Sequence, residues 1–286
     1  MPDFDLMITC PTVSKDVIRW HYDLSTLFYR LLWGRHIHHG LWESGESPAV
    51  AQQKLTETLA AAAQIERGDR VVDVGCGMGG SSIYLAKQLG CQVQGLTLSP
   101  LQRTWAACSA RWQGVARQTS FRCVDAEQAE FELGSFDVVW NVECTEHLFD
   151  KPRFFQQAAS WLRPGGRLAL CAWLAGDRLA TADDRELVYQ VCEGFFCPSL
   201  GTQDNYQQWM RDAGLVVERS DLWTERVMRT WEICANRVRW TGVGLLGRLI
   251  DRDTDLFLRR FETILAAYRS GAMQYGCFVA RKPGTC

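Results

Sequence analysis

The residues with the clearest chemical signature are VVDVGCGMGGSS, positions 71–82, which set Gly75, Gly77 and Gly80 in a GxGxxG spacing. Glycines between a strand and a helix let the backbone approach a ligand and aim N–H groups at it. Alone, the spacing fits NAD, FAD or S-adenosylmethionine (SAM). A dinucleotide site needs an acid about 20 residues on, at the end of the next strand. Thr97 of QGLTLSP stands there instead, and Gln102, one helical turn later, offers an amide to ribose hydroxyls. Asp125 of VDAEQ follows the third strand, where a carboxylate can accept an exocyclic amine of adenine. A second constellation is FDVVWNVECTEHL, with Asn141, Glu143 and His147. Glu143 and His147 are four apart, so on a helix they would share a face and serve as bases for an acceptor proton. The bland alternative for Glu143 is an acid that binds a backbone amide. Glu146 would point elsewhere and is expected in solvent. His36, His38 and His39, with His21, have no accompanying acidic cluster, and HIHH alternates faces on an extended strand. No metal site is expected; His38 or His39 is a candidate pocket donor or second base, with a satisfied structural histidine the preferred alternative.

The elements that must position these groups alternate. A helix is expected from about Pro48 to Ile65, capped by Ser47 and followed by Gly68. DRVVDVG, CQVQGLT, TSFRCVD, SFDVVWN and GGRLALCAW read as buried parallel strands. SSIYLAKQL, SPLQRTWAACSARW and DKPRFFQQAASWL read as helices between them, the second with Ser99 as cap and Pro100 at its first position. After Trp173 come two helices (DDRELVYQVCEGFF and TQDNYQQWMRDAG), a sixth strand GLVVERSDL, a helical stretch over residues 221–270 and a last strand MQYGCFVARK. This pattern predicts an α/β fold: a doubly wound, mostly parallel, seven-stranded Rossmann-like sheet in a single domain. Residues 1–46 form an N-terminal closing segment and 47–175 the cofactor-binding core. Residues 176–270 supply the pocket insertions and a helical lid, and 271–286 the last strand and tail.

The glycine loop, VDAEQ, the Asn141–Glu143 stretch and the LRPGG turn, in that order, resemble the class I SAM-dependent methyltransferases. HYDLSTLFYRLLWGRHIHHGLWE, GLTLSPLQ, WNVECTEHLFDKPRFF and MQYGCFVARKP are closer still to the gamma-tocopherol methyltransferase group. That group is related to sterol C-methyltransferases and, more distantly, to cyclopropane-fatty-acid synthases. The resemblance runs from about Trp20 to Pro283. It implies that Asp73, Gly75, Gly77 and Gly79 line methionine and ribose, and that Thr97, Leu98 and Gln102 hold the ribose and one adenine face. Asp125 and Ala126 would meet the adenine, and Asn141 the methionine amine. Tyr22 would close over the cofactor, with Trp33 and His39 in the same segment. The quinol enzymes of the group carry Ser-Gly between the two acids where this chain has Cys144-Thr145, which changes the pocket floor.

Composition narrows the field. The 286 residues carry a formal net charge of -2, whereas a nucleic-acid module is usually strongly basic. No apolar run reaches the roughly 20 residues of a spanning helix, and MPDFDLMITCPTVSKD lacks the basic start of a signal peptide, so a cytoplasmic location is expected. Twelve cysteines without a CxxC pair read as small buried hydrophobes rather than zinc ligands. Of the twelve tryptophans, Trp33, Trp42, Trp140, Trp173, Trp223, Trp231 and Trp240 are placed near a pocket. The arginines between 226 and 260 read mainly as a solvated face, with an anionic substrate or acidic lipid as the minority reading. WTGVGLLGRLI is apolar enough for peripheral membrane contact. The expected function is SAM-dependent methyl transfer, with S-adenosylhomocysteine as product, to a small, largely apolar natural product or prenylated or aromatic acceptor. Carbon is the first choice of acceptor atom. Nitrogen or oxygen methylation, and a fold that couples methylation to cyclisation or keeps SAM as a bystander, are the alternatives.

Overall fold

The computed structural model describes residues 7–20, 22–23, 36–177, 179, 181–241 and 252–284. Trp33, His21, Arg248 and most of WTGVGLLGRLI therefore lie outside the described residues. The central sheet has seven strands in the order β4-β3-β2-β5-β6-β9-β8. They are β2 (Arg70–Val74), β3 (Gln92–Thr97), β4 (Thr119–Cys123), β5 (Phe136–Val142), β6 (Leu162–Ala175), β8 (Val216–Leu222) and β9 (Met273–Arg281). Strands β2 to β6 pair in parallel, and β9 runs antiparallel between β6 and β8. The expected doubly wound sheet is thus the observed one.

Each central strand divides its side chains between two cores, as a pleat with period two requires. One face carries Val71, Val138, Trp140, Ala169 and Cys171 against Leu55 and Leu59 of α1 (Pro48–Ala62), Val188 of α5 (Ala182–Gly194) and Phe261 of α9 (Arg252–Ser270). The other carries Val72, Val74, Val139, Leu168 and Leu170 against Phe154 and Phe155 of α4 (Lys151–Trp161) and Tyr206 and Met210 of α6 (Gln203–Asp212). Helix α2 (Gly80–Tyr84) follows the glycine loop and widens into a π turn over Leu85–Leu89, which ends at left-handed Gly90. Helix α3 (Pro100–Trp112) starts as expected: the Ser99 side chain accepts from the Gln102 N–H, with Pro100 at the first position.

Some local expectations fail. Helix α1 ends at Ala62, short of Ile65, and Ser47 makes no side-chain capping bond. Gly68 lies in the following turn rather than closing the helix. A separate antiparallel pair, β1 (Ile8–Thr9) with β7 (Ser199–Leu200), fastens the N-terminal segment to the loop after α5. Helices α7 (Thr224–Val227), α8 (Arg229–Thr241) and α9 fill the interval between β8 and β9, where the lid is expected. Among the described residues no helix is long and apolar enough to cross a membrane.

Candidate active site

The loop after β2 is built by backbone conformation. Gly75, Gly77 and Gly79 have φ of 78°, 52° and 81°, a region costly to residues with a Cβ. Gly79, not Gly80, takes the third left-handed position; Gly80 begins α2. A Cβ on Gly75 would lie 2.4 Å from both Cβ and Sγ of Cys144, whereas one on Gly77 would meet open space. That space is a cavity lined by Asp73, the loop, Ser81, Val142 and residues 36–38.

At the ends of the adjoining strands β2, β3 and β5, and at the start of α3, are buried polar groups with unused capacity. Asn141 is fully buried, and neither its amide nitrogen nor its oxygen has a partner. The Thr97 hydroxyl donates to Gln102 Oε1 at 2.9 Å, which leaves buried Gln102 Nε2 without an acceptor. Asp73 accepts from the Ser82 hydroxyl at 2.5 Å, and burial pushes its carboxyl up to about 7. Buried polar groups left this way are rare, and they suit a ligand bearing an ammonium, a carboxylate and hydroxyls. SAM carries all three, so the residues present fit it. Leu98 packs at the margin of the core and Ala126 is buried in it. Asp125 caps the short turn Ala126–Gln128 and is ion-paired with Lys15, so the carboxylate expected at the adenine already has a cation.

A second cavity, walled in part by the same Ile37 and His38, lies beside the first. It brings Tyr22, His39, Glu143, Glu146, His147, Trp173, Phe195 and Trp231 together. Glu143 and His147 meet there without sharing a helix face. Glu143 is itself left-handed, with φ of 53°, and a 3-10 turn over Thr145–His147 follows.

Glu143 is saturated. Its Oε1 accepts from His39 N at 2.8 Å, His39 Nδ1 at 2.9 Å and the Tyr275 hydroxyl at 2.7 Å. Its Oε2 accepts from Trp173 Nε1 at 3.0 Å. Burial raises its pKa, but His39 and these hydrogen bonds win and hold it near 2. The network also orients His39: Trp231 Nε1 can only donate and lies 2.5 Å from His39 Nε2, while His39 Nδ1 faces Glu143.

His147 is set the same way. Its Nδ1 lies 3.1 Å from the Phe196 carbonyl and must donate, so Nε2 carries the lone pair and accepts from the Tyr22 hydroxyl at 2.8 Å. Burial pushes the ring down to about 4, so it is neutral. Tyr22, Lys15 and Asp23, the last accepting from the Ser99 hydroxyl at 2.5 Å, tie the N-terminal segment to His147, Asp125 and Ser99.

Glu146 overturns the expectation of solvent. It is 1% exposed, because the 3-10 turn points it inward. Trp140 and Trp223 belong to the core and Trp240 is exposed; among the described tryptophans flagged, only Trp173 and Trp231 line this pocket. The described cysteines are free thiols, mostly buried, though Cys108 and Cys123 are exposed. Arg226 pairs with Glu43, Arg239 with Glu262 and Arg260 with Glu193, and among the described lining residues of the pocket none is Lys or Arg. Tyr275 and Tyr268 were not flagged as site residues. The β6–β9 register, which sets Trp173 opposite Tyr275, is what brings two of Glu143's donors together.

The family model described as mycolic acid cyclopropane synthetase matches residues 11–273. A probable chloroplastic tocopherol O-methyltransferase of Oryza sativa subsp. japonica is 30% identical over 300 residues, spanning 96% of this chain and 80% of that protein. The 27-O-demethylrifamycin SV methyltransferase of Amycolatopsis mediterranei is 32% identical over 279 residues, 96% of this chain and all 100% of that one. Among solved structures, the [4+2]-cyclase SpnF shares the fold with a TM-score of 0.81 at 23% identity, over 97% of this chain and 99% of that one. With its glycine cradle, its unpartnered amides and its adjoining aromatic pocket, the chain belongs to the mycolic acid cyclopropane synthetase family and is a SAM-dependent methyltransferase of class I fold.

Proposed function

We propose that the protein methylates a hydroxyl of a small, largely apolar natural product, and that His147 is the base. The observation that carries this is the fixed tautomer of His147: a neutral ring whose Nε2 lone pair already holds a hydroxyl, that of Tyr22, inside the pocket. An acceptor hydroxyl replacing Tyr22 there would lose its proton to Nε2 as its oxygen bonds the methyl carbon and the carbon–sulfur bond breaks. When bound, SAM supplies an activated methyl group, so the protein's share is positioning and proton removal. Glu143 is too strongly held to take a proton; its proposed part is to position His39, Trp173 and Tyr275.

Oxygen replaces carbon as the first choice, because the relatives named above include a tocopherol O-methyltransferase and a methyltransferase of an O-demethylated rifamycin. The aromatic walls Trp173, Phe195 and Trp231 suit a ring or an apolar scaffold. Among the described residues no lysine or arginine lines this pocket, which disfavours a diphosphate. The test is methyl-labelled SAM with a panel of phenols, hydroxyketones and amines, followed by His147→Ala. Label on oxygen, with kcat lowered about 10²–10⁴-fold in the variant, is expected. Label on carbon or nitrogen alone, or undiminished kcat, sinks the proposal; acceptor consumed without label supports the cyclisation alternative.

A further inference from the structure

The pocket holds one polar group for which neither the fold nor the methyl transfer provides a use. Glu146 is 1% exposed and lines the cavity beside His147. Its Oε1 accepts from the Trp173 backbone N–H at 2.5 Å, and its Oε2 has no hydrogen-bond partner. A buried carboxyl oxygen without a partner is costly unless a ligand completes it.

We propose that Glu146 hydrogen-bonds a carbonyl-type oxygen of the acceptor, so that preferred acceptors are hydroxylated molecules that also carry a ketone, quinone or amide carbonyl. This rests on the reading of this pocket as the acceptor site. The direction of the bond follows from the surroundings. The groups acting on Glu146, or acted on by it, are Glu143, Lys151, Cys144, Cys197, Tyr206 and Tyr268. Of these only Lys151 is a cation, and its Nζ is spent on the Leu148 carbonyl at 2.8 Å and the Ser199 hydroxyl at 2.7 Å. Burial, and then the charge of Glu143, push the Glu146 carboxyl up to about 8. At neutral pH it is therefore a carboxylic acid. Oε1 is occupied as an acceptor, so the proton sits on Oε2, the oxygen without a partner in a residue that lines the cavity. Neighbouring His147 presents an acceptor, so the two consecutive residues offer one acceptor and one donor to a single ligand.

The test uses two near-isosteric probes, 3-hydroxyacetophenone and 3-isopropylphenol, with binding read by calorimetry in the presence of S-adenosylhomocysteine. Wild type should bind the ketone about tenfold more tightly, the worth of one buried hydrogen bond. Glu146→Gln, whose amide keeps one acceptor and one donor, should keep that preference; Glu146→Ala should lose it. Infrared difference spectra of the ligand-free protein at pH 6.5 should show a protonated carboxyl band missing from Glu146→Gln. Asp73→Asn identifies the separate contribution of Asp73. Equal affinity for the probes, no binding of the ketone, Glu146→Gln behaving like Glu146→Ala, or no lost band would each overturn the inference. None of these readouts depends on turnover, so they stand apart from the His147 test.

Discussion

Gly75→Ala tests whether the glycine loop and the turn after β5 are fitted to each other. Two costs add at this position. The backbone is left-handed, with φ of 78°, which costs a residue bearing a Cβ about 1–2 kcal/mol. The new Cβ would also lie 2.4 Å from Cβ and Sγ of Cys144, and overpacking of this kind costs about 1–3 kcal/mol. Together they predict a loss of about 2–5 kcal/mol. The terms separate in a double-mutant cycle. Cys144→Gly removes both clashing atoms and leaves its Cα at 3.7 Å, an ordinary contact. Introduced into that background, Gly75→Ala should cost only the backbone term. Cys144→Ala keeps the Cβ and should relieve little. Urea unfolding of the four variants reads the stabilities, and calorimetry with S-adenosylhomocysteine reads the loop, whose displacement should weaken binding at least tenfold. An equal cost in both backgrounds would falsify the fit between Gly75 and Cys144. An unchanged affinity in Gly75→Ala would remove the loop from the cofactor site.

Two further outcomes follow from buried carboxyls. Glu143→Ala leaves His39 N and Nδ1, the Tyr275 hydroxyl and Trp173 Nε1 without their acceptor, a loss of about 3–5 kcal/mol by chemical denaturation. The carboxylate is held near 2 against an ordinary 4.5, so its contribution is complete above pH 4.5 and fades as pH falls toward 2; Glu143→Gln should show a flatter acid limb than wild type, and parallel limbs would refute this. Asp73 is the opposite case: raised from 3.8 to about 7, its neutral form stabilises the fold below pH 3.8, and that contribution is lost as pH rises through 7. An ammonium bound beside it would drive the proton off, so S-adenosylhomocysteine binding at pH 6 should release about one proton in wild type and none in Asp73→Asn, measured by calorimetry in buffers of different ionisation enthalpy; no release in wild type would place the amine elsewhere.

The cofactor half was more legible in the sequence than the acceptor half, for a physical reason. Strands β2 and β3 are apolar runs that stop at glycine or Ser-Pro, and such signals are local. The acceptor half depends on distant pairings and on one backbone choice. Treating residues 143–147 as helix put Glu146 in solvent; left-handed Glu143 reorients the next turn and buries it. No spacing rule predicts that a residue other than glycine takes that conformation. Trp173 and Tyr275 converge because β6 and β9 pair in one register, and a shift of one residue would send Tyr275 to the opposite face. The pairing of β1 with β7 involves two residues on each side, too few to leave a pattern.

The two halves differ in construction as well as in legibility. The proposed donor cavity is formed by the glycine loop after β2, Val142 at the end of β5 and residues 36–38. The proposed acceptor cavity is assembled from the N-terminal segment, the turn after β5, β6, Phe195 after α5, and α8, and these, with Tyr275 of β9, meet largely through Glu143 and His39. His39 follows His38, which with Ile37 walls both cavities. His38 is itself constrained, with Nδ1 donating to the His39 carbonyl at 2.7 Å. A ligand that fixes the wall from the donor side therefore also fixes the peptide carrying His39, and with it the ring that orders Glu143 and Trp231. Because linkage is reciprocal, an acceptor that fixes His39 must favour the donor cavity by the same free energy. On the proposed reading, the base, the aromatic walls and the methyl donor would be brought into register by one short segment, residues 36–39, which is the positioning that displacement from an activated methyl group requires of its protein.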